Sequence, residues 1–362
     1  MFSTMQPNDA MEWDMRILST THTPKIALAL FVLVFAPQSF SHHSFTRFDQ
    51  ERIVEIEGEL ISYRWRNPHI IFEVRGLDEN GEEVVWKIEG HSLSILRRTN
   101  ASPEGLEKGD RVKLAGWPTV RPSSEIFVHN MLLPDGTELL LQGGVSPRWD
   151  TGVTLGSERE WTVGGTASEN RGREGLFRVW STRFGPDNDP LWREQYPLTD
   201  AAQQKFSQWD PITDTAAPGC EPKGMPLIME QPYPIEFVKD DDAILLRMEE
   251  YDTVRKIDMS NESVPASLER SILGNSKGRW EGDTLVVETV DVNFPLFDSN
   301  GTPQGSRPRF TERFVVSDDG SQLLYEITAV DDETFTEPVV LTRNWVWRPG
   351  EKVEPYECVG PE

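Results

Sequence analysis

Five histidines follow the apolar run Ile26–Ala36: His42, His43, His69, His91 and His129, and no histidine lies beyond residue 129. Imidazole chemistry, if the chain performs any, therefore belongs to its first part. If export cleavage falls between Ser41 and His42, the mature chain begins with histidine. The free amine and ring Nδ1 of His42 can then chelate one metal ion, and one further imidazole completes a T-shaped "histidine brace". Neutral nitrogen donors suit copper, which stands at the top of the divalent affinity order. His69 is the expected third ligand, with His129 a less direct one. His43 is a substitute only, because adjacent residues on an extended segment point to opposite faces. The third residue would be Ser44, so the square-planar peptide-nitrogen site that a third-position histidine makes is excluded. The plainer alternative leaves the two terminal histidines solvated, with His69 capping a loop after Pro68.

Other chemistry finds weaker footing. "DSNG" (Asp298–Gly301) looks like the start of a calcium loop but lacks the later ligands, so it reads as a polar turn. Glu281 and Asp283 in "GRWEGD" are two carboxylates at a tight turn, a poor fit to the separated pair that glycoside hydrolysis needs. There is no phosphate loop or dinucleotide fingerprint. Without a histidine in the second half, a Ser–His triad there is impossible. The two cysteines, Cys220 and Cys358, read as one disulfide in an exported chain.

Export is itself an expectation from residues 1–41. Arg16 and Lys25 precede eleven apolar residues, Ile26–Ala36, a run well short of the roughly 20 that span a bilayer. Asp9, Glu12 and Asp14 fit an n-region badly, which makes Met15 the better start. Ser39 and Ser41 occupy the −3 and −1 positions of the cleavage site. The expected product is a soluble periplasmic or secreted protein with no membrane attachment once cleaved; an uncleaved anchor is the alternative. The net charge of −24 becomes −23 after cleavage, with −5 up to residue 150 and −18 beyond it. Such a surface repels nucleic acid and anionic lipid, which makes both poor partners.

The elements that must position the histidines are strands. In residues 42–142, "RIVEIEGELISYRW" alternates apolar and polar residues, with a bend or bulge expected at Gly58. "HIIFEVRGL" and "EEVVWKIEG" form a hairpin on the "DENG" turn. "SLSILRRT" is a short helix, and "DRVKLAGWP" and "EIFVHNMLL" are two more strands. Three strands, a helix and two strands is the order of an OB-like five-stranded barrel. Pro68 fixes its own φ and biases Asn67 toward extended geometry, so the bend after the first strand can aim His69. Residues 143–175 are polar and read as a linker between separately folding modules. Residues 176–225 read as an irregular and helical strap, with Thr199 capping a helix that Pro211 ends. Residues 226–362 are a succession of strands on short Asp-rich turns, expected to form an antiparallel barrel-like or curved-sheet domain. A barrel of about eight strands can hold one small apolar ligand or be filled by its own side chains. Of the twelve tryptophans, Trp65, Trp86, Trp280 and Trp345 fall in strand patterns and fit strand cores better than a binding platform.

The motifs "HHSF" (His42–Phe45), "WRNPH" (Trp65–His69) and "LEKGDRVKLAGWP" resemble an uncharacterised family of exported bacterial proteins, a domain of unknown function. "PLTDAAQQKF", "CEPKGMP", "GRWEGDTLVVET" and "TERF" are similar to an uncharacterised β-rich C-terminal module found beside that domain. The resemblance implies export and two modules, and it implies no reaction. The function expected is binding, with copper at His42, His69, His129 and His43 as its sharpest form. A copper-dependent oxidase or monooxygenase is one rival. A carrier of a small apolar ligand in the C-terminal barrel is the other.

Overall fold

The computed structural model describes residues 47–143, 145–149, 151–156, 175–182, 195–210, 214, 220–260 and 269–359. The apolar run at 26–36, His42 and His43, and much of the 143–175 stretch lie outside the described residues. No helix among the described residues is long and apolar enough to cross a membrane.

The first barrel is built from β1 (Val54–Arg64), β2 (Ile71–Leu77), β3 (Glu83–Glu89), β4 (Arg111–Pro118) and β5 (Glu125–Leu132), with helix α1 (Leu93–Thr99) between β3 and β4. Ile56, Gly58 and Leu60 on β1 are buried while Glu55, Glu57 and Glu59, alternating with them, face out, the period-two pattern of a half-buried strand. β1 pairs antiparallel with both β2 and β4, β2 with β3, and β4 with β5; a short parallel pairing of β3 with β5 closes the ring. The closed order β1-β2-β3-β5-β4 is the OB-like arrangement expected. The irregularity in β1 falls between Leu60 and Ser62 rather than at Gly58. Gly58 serves a different need: a Cβ there would stand 2.2 Å from the Arg75 carbonyl oxygen across the pair. Ser92 caps α1 by accepting from Ile95 N at 3.3 Å, and Asn100 ends it in the left-handed region at φ 59°, where asparagine is tolerated. Beyond β5 the sheet continues through β6 (Glu138–Leu140) and β7 (Thr154–Leu155).

The second barrel closes, among the described residues, with nine strands. These are β8 (Val179–Ser181), β9 (Ile235–Asp240), β10 (Ala243–Met248), β11 (Thr253–Asp258), β12 (Asn275–Glu281), β13 (Thr284–Val290), β14 (Arg309–Val316), β15 (Gln322–Val330) and β16 (Val339–Trp347). Neighbours run antiparallel except β11 with β12, and β8 completes the ring between β16 and β9. Phe237, Phe310, Phe314, Tyr325 and Trp345 fill its core. A buried ion pair sits among them: Arg255 Nη1 donates to Glu312 Oε1 at 2.9 Å, Arg255 Nε to Ser276 Oγ at 3.0 Å, and Tyr325 OH to Glu312 Oε1 at 2.8 Å. With every charge met by hydrogen bonds, that pair can be tolerated in an apolar interior. Trp280 departs from the core expectation: it is 44 % exposed and lies 6.2 Å from the Phe177 ring. The strap carries α2 (Asp200–Gln208), capped by Thr199, whose hydroxyl accepts from Ala202 N at 3.2 Å.

A seam joins the barrels. Arg98 of α1, 4 % exposed, grips Glu249 with two bonds of 2.6 and 2.7 Å and Glu351 with one of 2.9 Å. The C-terminal tail runs along the seam, and the Cys220–Cys358 disulfide ties it to the strap.

Candidate metal centre at the seam

The "WRNPH" motif forms the turn from β1 into β2, and its residues divide the labour. Asn67 is buried and structural. Its amide donates to Ser94 Oγ at 3.1 Å and to the Tyr356 carbonyl, while its Oδ1 accepts from Ser94 N at 3.3 Å. His69 follows with its ring one-third exposed, at 32 %. Its Nδ1 lies 2.9 Å from the Gly90 carbonyl oxygen and 3.4 Å from Glu89 Oε1. A carbonyl oxygen only accepts, so Nδ1 carries the proton and Nε2 keeps the basic lone pair. That is how metal-binding histidines are commonly held: a backbone carbonyl or carboxylate on one nitrogen orients the other.

Glu89 also receives Arg47, whose Nη2 stands 2.6 Å from Glu89 Oε2 and 3.4 Å from Glu125 Oε2. The incoming chain is thus fastened beside His69. Phe48, next along, bridges to Thr119 and packs on Phe127 at 5.6 Å.

Phe127 gathers the other two described histidines. His91 meets it edge-on at 5.3 Å, and His129 lies at 6.4 Å. His129 sits where β5 shifts register against β4, its ring perpendicular to Trp117 at 4.2 Å. It is 3 % exposed, and its Nε2 is buried without a hydrogen-bond partner. Burial first, and the Arg148 charge second, push its pKa from 6.5 down to about 4. His69, His91 and His129 therefore share one region of the first barrel. Still, no three His, Cys, Asp or Glu among the described residues form a group able to hold a metal ion by themselves; His42 and His43 lie outside the described residues.

The depressed His129 pKa has a measurable consequence. The unfolded chain takes up a proton near pH 6.5 and the folded chain only near 4. The neutral ring's full contribution is thus present above pH 6.5 and is lost progressively as pH falls toward 4. The gap corresponds to about 3 kcal/mol. The difference between the unfolding free energies of native and His129→Phe protein, followed from pH 7 to 4, should change by roughly that total. Parallel curves would contradict the buried, neutral assignment.

From the strap, the second barrel and the tail come residues that the sequence did not single out. Lys223 of "CEPKGMP" donates to Gln231 Oε1 at 2.5 Å and to Glu250 Oε1 at 2.7 Å. Tyr356 of the tail packs on Tyr233 at 5.5 Å and on Tyr251 at 5.0 Å. Burial raises the Glu250 carboxyl above its ordinary range, against the opposing pull of Lys223 and, more weakly, of His69. The one available signal was the motif itself, since "CEPKGMP" contains both Lys223 and the disulfide half Cys220.

Elsewhere, Asp298 of "DSNG" spends its carboxylate on its own turn, accepting from Asn300 N and Thr302 N at 3.0 Å each and from Thr302 Oγ1 at 2.9 Å. Glu281 is a surface residue bonded to Arg279 and Arg313.

Residues 29–125 match the model of a family of unknown function, DUF6152. The match takes in the β1–β4 part of the first barrel and the "WRNPH" motif. No curated protein matches the chain.

Proposed function

We propose that this is an exported, periplasmic binding protein that holds copper through the amine and Nδ1 of His42 together with Nε2 of His69. The observation that carries this is His69 itself, with Nδ1 committed to the Gly90 carbonyl, Nε2 left basic and the ring partly open. The place where the chain enters adds support. Arg47 is anchored on Glu89, the same carboxylate that His69 approaches. His42 stands five residues upstream of Arg47, a tether of at most about 18 Å. His129 is the second choice of imidazole and His43 a substitute. Each ligand must be deprotonated, so affinity falls as pH drops through the imidazole range.

Calorimetric titration of Cu(II) into protein bearing the mature terminus should give one tight site. His69→Ala should weaken it by more than about a hundredfold, because a direct ligand is lost where even orienting partners are worth 10–100-fold; His91→Ala should leave it in place. Tight binding retained by His69→Ala would overturn this assignment. The partial exposure of His69 also favours a second reading, a copper-dependent oxidase or monooxygenase with an open coordination position, which peroxide turnover by the copper-loaded protein would reveal. A carrier role for the second barrel gains no support from an interior occupied by Phe237, Phe310, Tyr325 and the Arg255–Glu312 pair.

A further inference from the structure

Three arginines line one hollow on the second barrel. It has a volume of about 390 Å³ and opens between the end of β13 and the approach to β14. Arg270, Arg307 and Arg309 stand around it with Asp291, while Val290 and Pro308 supply its apolar part. Its frame is tied from several sides. Arg270 Nη2 donates to the Val292 carbonyl at 2.6 Å and to the Ser306 carbonyl, which clasps the chain leaving β13 to the chain entering β14. Gly305 N donates to Asp331 Oδ2 at 2.7 Å and Ser306 N to Glu333 Oε2 at 3.1 Å. Asp291, in the left-handed region at φ 57°, accepts from Asn275 Nδ2 at 3.1 Å through Oδ2.

The charges around this hollow are not met by the protein. Pro308 is buried while Arg307 and Arg309 on either side of it are exposed, so the alternation of extended chain turns both guanidiniums outward on one face. The surface carboxylates Glu281 and Glu288 pair with Arg279 and Arg313; among the described residues, Arg270, Arg307 and Arg309 have no such partner. Glu333, which the Arg307 charge reaches, spends both carboxylate oxygens on Ser306. Three like charges gathered around one hollow repel one another, here in a part of the chain that carries −18 beyond residue 150. An anion held among them offsets the repulsion, and because only the folded chain gathers the three, it stabilises the fold.

We infer that this hollow binds a phosphate group, free or carried on a small organic ester. Guanidinium presents planar pairs of N–H donors that match phosphate oxygens two at a time. Arg270 keeps Nε and Nη1 for this, since only Nη2 is spent on the frame. Three guanidiniums and one carboxylate leave the lining with two net positive charges, the complement of a phosphate group carrying roughly −1.5 to −2 at neutral pH. Asp291 narrows the choice. Its Oδ1 accepts no hydrogen bond among the described residues, and a carboxylate oxygen can take a hydroxyl proton. Inorganic phosphate and the alcohol part of an ester offer one; sulfate at neutral pH does not. The volume falls in the range of small-molecule sites and leaves room for more than the phosphate itself, so an ester is the expected occupant. The site holds no histidine and stands or falls apart from the copper reading.

The test uses the full chain, titrated calorimetrically at fixed ionic strength with glycerol phosphate, inorganic phosphate and sulfate. Native protein is compared with the double variant Arg307→Gln, Arg309→Gln. Both side chains are exposed and bond to no described residue, so the variant should fold, and circular dichroism checks that it does. Native protein should bind one glycerol phosphate, inorganic phosphate less tightly, and sulfate at least about tenfold more weakly than either. The double variant should lose at least about tenfold in affinity for both phosphates, the scale of losing one charge-assisted hydrogen bond. Tighter binding of inorganic phosphate than of the ester would uphold the site and make the free ion its occupant. No saturable binding of either phosphate by native protein, equal affinity for sulfate, or undiminished binding by the double variant would overturn it. Should the variant fail to fold, native protein decides alone: a preference for phosphate over sulfate upholds the site and its absence overturns it.

Discussion

Opening the Cys220–Cys358 bridge should lower the stability of the chain by about 5 kcal/mol, since the two residues are 138 positions apart and a loop of that size constrains the unfolded ensemble strongly. The bridge also fixes the tail along the seam. Tyr356, 1 % exposed, packs edge-on against Tyr233 and at a tilt against Tyr251, and Val359 N donates to the Asn67 carbonyl at 3.2 Å. Freed from Cys220, this segment would be held only by its link to β16 and would have to find its place without a covalent tie to the strap. Replacing both cysteines by serine avoids stray thiols, and urea unfolding of that variant against the oxidised protein gives the difference directly. A loss below about 1 kcal/mol would mean that the loop constrains little in the unfolded chain.

Arg98→Met should cost 3–5 kcal/mol, roughly the penalty for stranding buried carboxylates without their cation. Glu249 is wholly buried and Glu351 is 2 % exposed at the side chain, so neither can turn to water. Glu249 Oε2 keeps only the Glu354 N–H at 3.0 Å once Arg98 is gone. The companion experiment removes the stranded charges as well: Arg98→Met combined with Glu249→Leu and Glu351→Leu should recover much of the loss, because a buried ion cluster and a well-packed apolar one differ little in net stability. A cost near zero for Arg98→Met alone would show that the seam does not depend on this ion pair.

The barrels were legible because their strands carry local signals. Alternating Ile56 and Leu60 with glutamates, the "DENG" turn and the Asp-rich hairpins of the second half each declare themselves within ten residues, and the five-strand order followed from the position of α1. The disulfide was legible for a simpler reason, since Cys220 and Cys358 had no other partner to choose. The seam was not. Arg98 meets Glu249 and Glu351 from 151 and 253 positions away, and an arginine late in a short helix looks the same in sequence whether it faces water or a buried carboxylate. β8 escaped because three residues inside the polar strap, Val179–Ser181, show no period, and only the closing of a barrel gives them a role. Gly58 gave a true signal with the wrong cause: close approach of β2 demands the glycine, while the irregularity lies two residues later. For the candidate site, His69 could be named from its motif, but its neighbours Glu89 and Arg47 could not, because β3 and the incoming chain meet it only in the folded barrel.

The most direct test of copper binding at the terminus is the Cu(II) affinity of the chain that begins at His42 compared with the same chain extended by one alanine. The extension keeps every side chain and removes only the chelate between amine and ring. Copper held as proposed requires the extended protein to bind more than about a hundredfold more weakly, beyond the 10–100-fold typical of losing an orienting partner. Equal affinity of the two chains would contradict it.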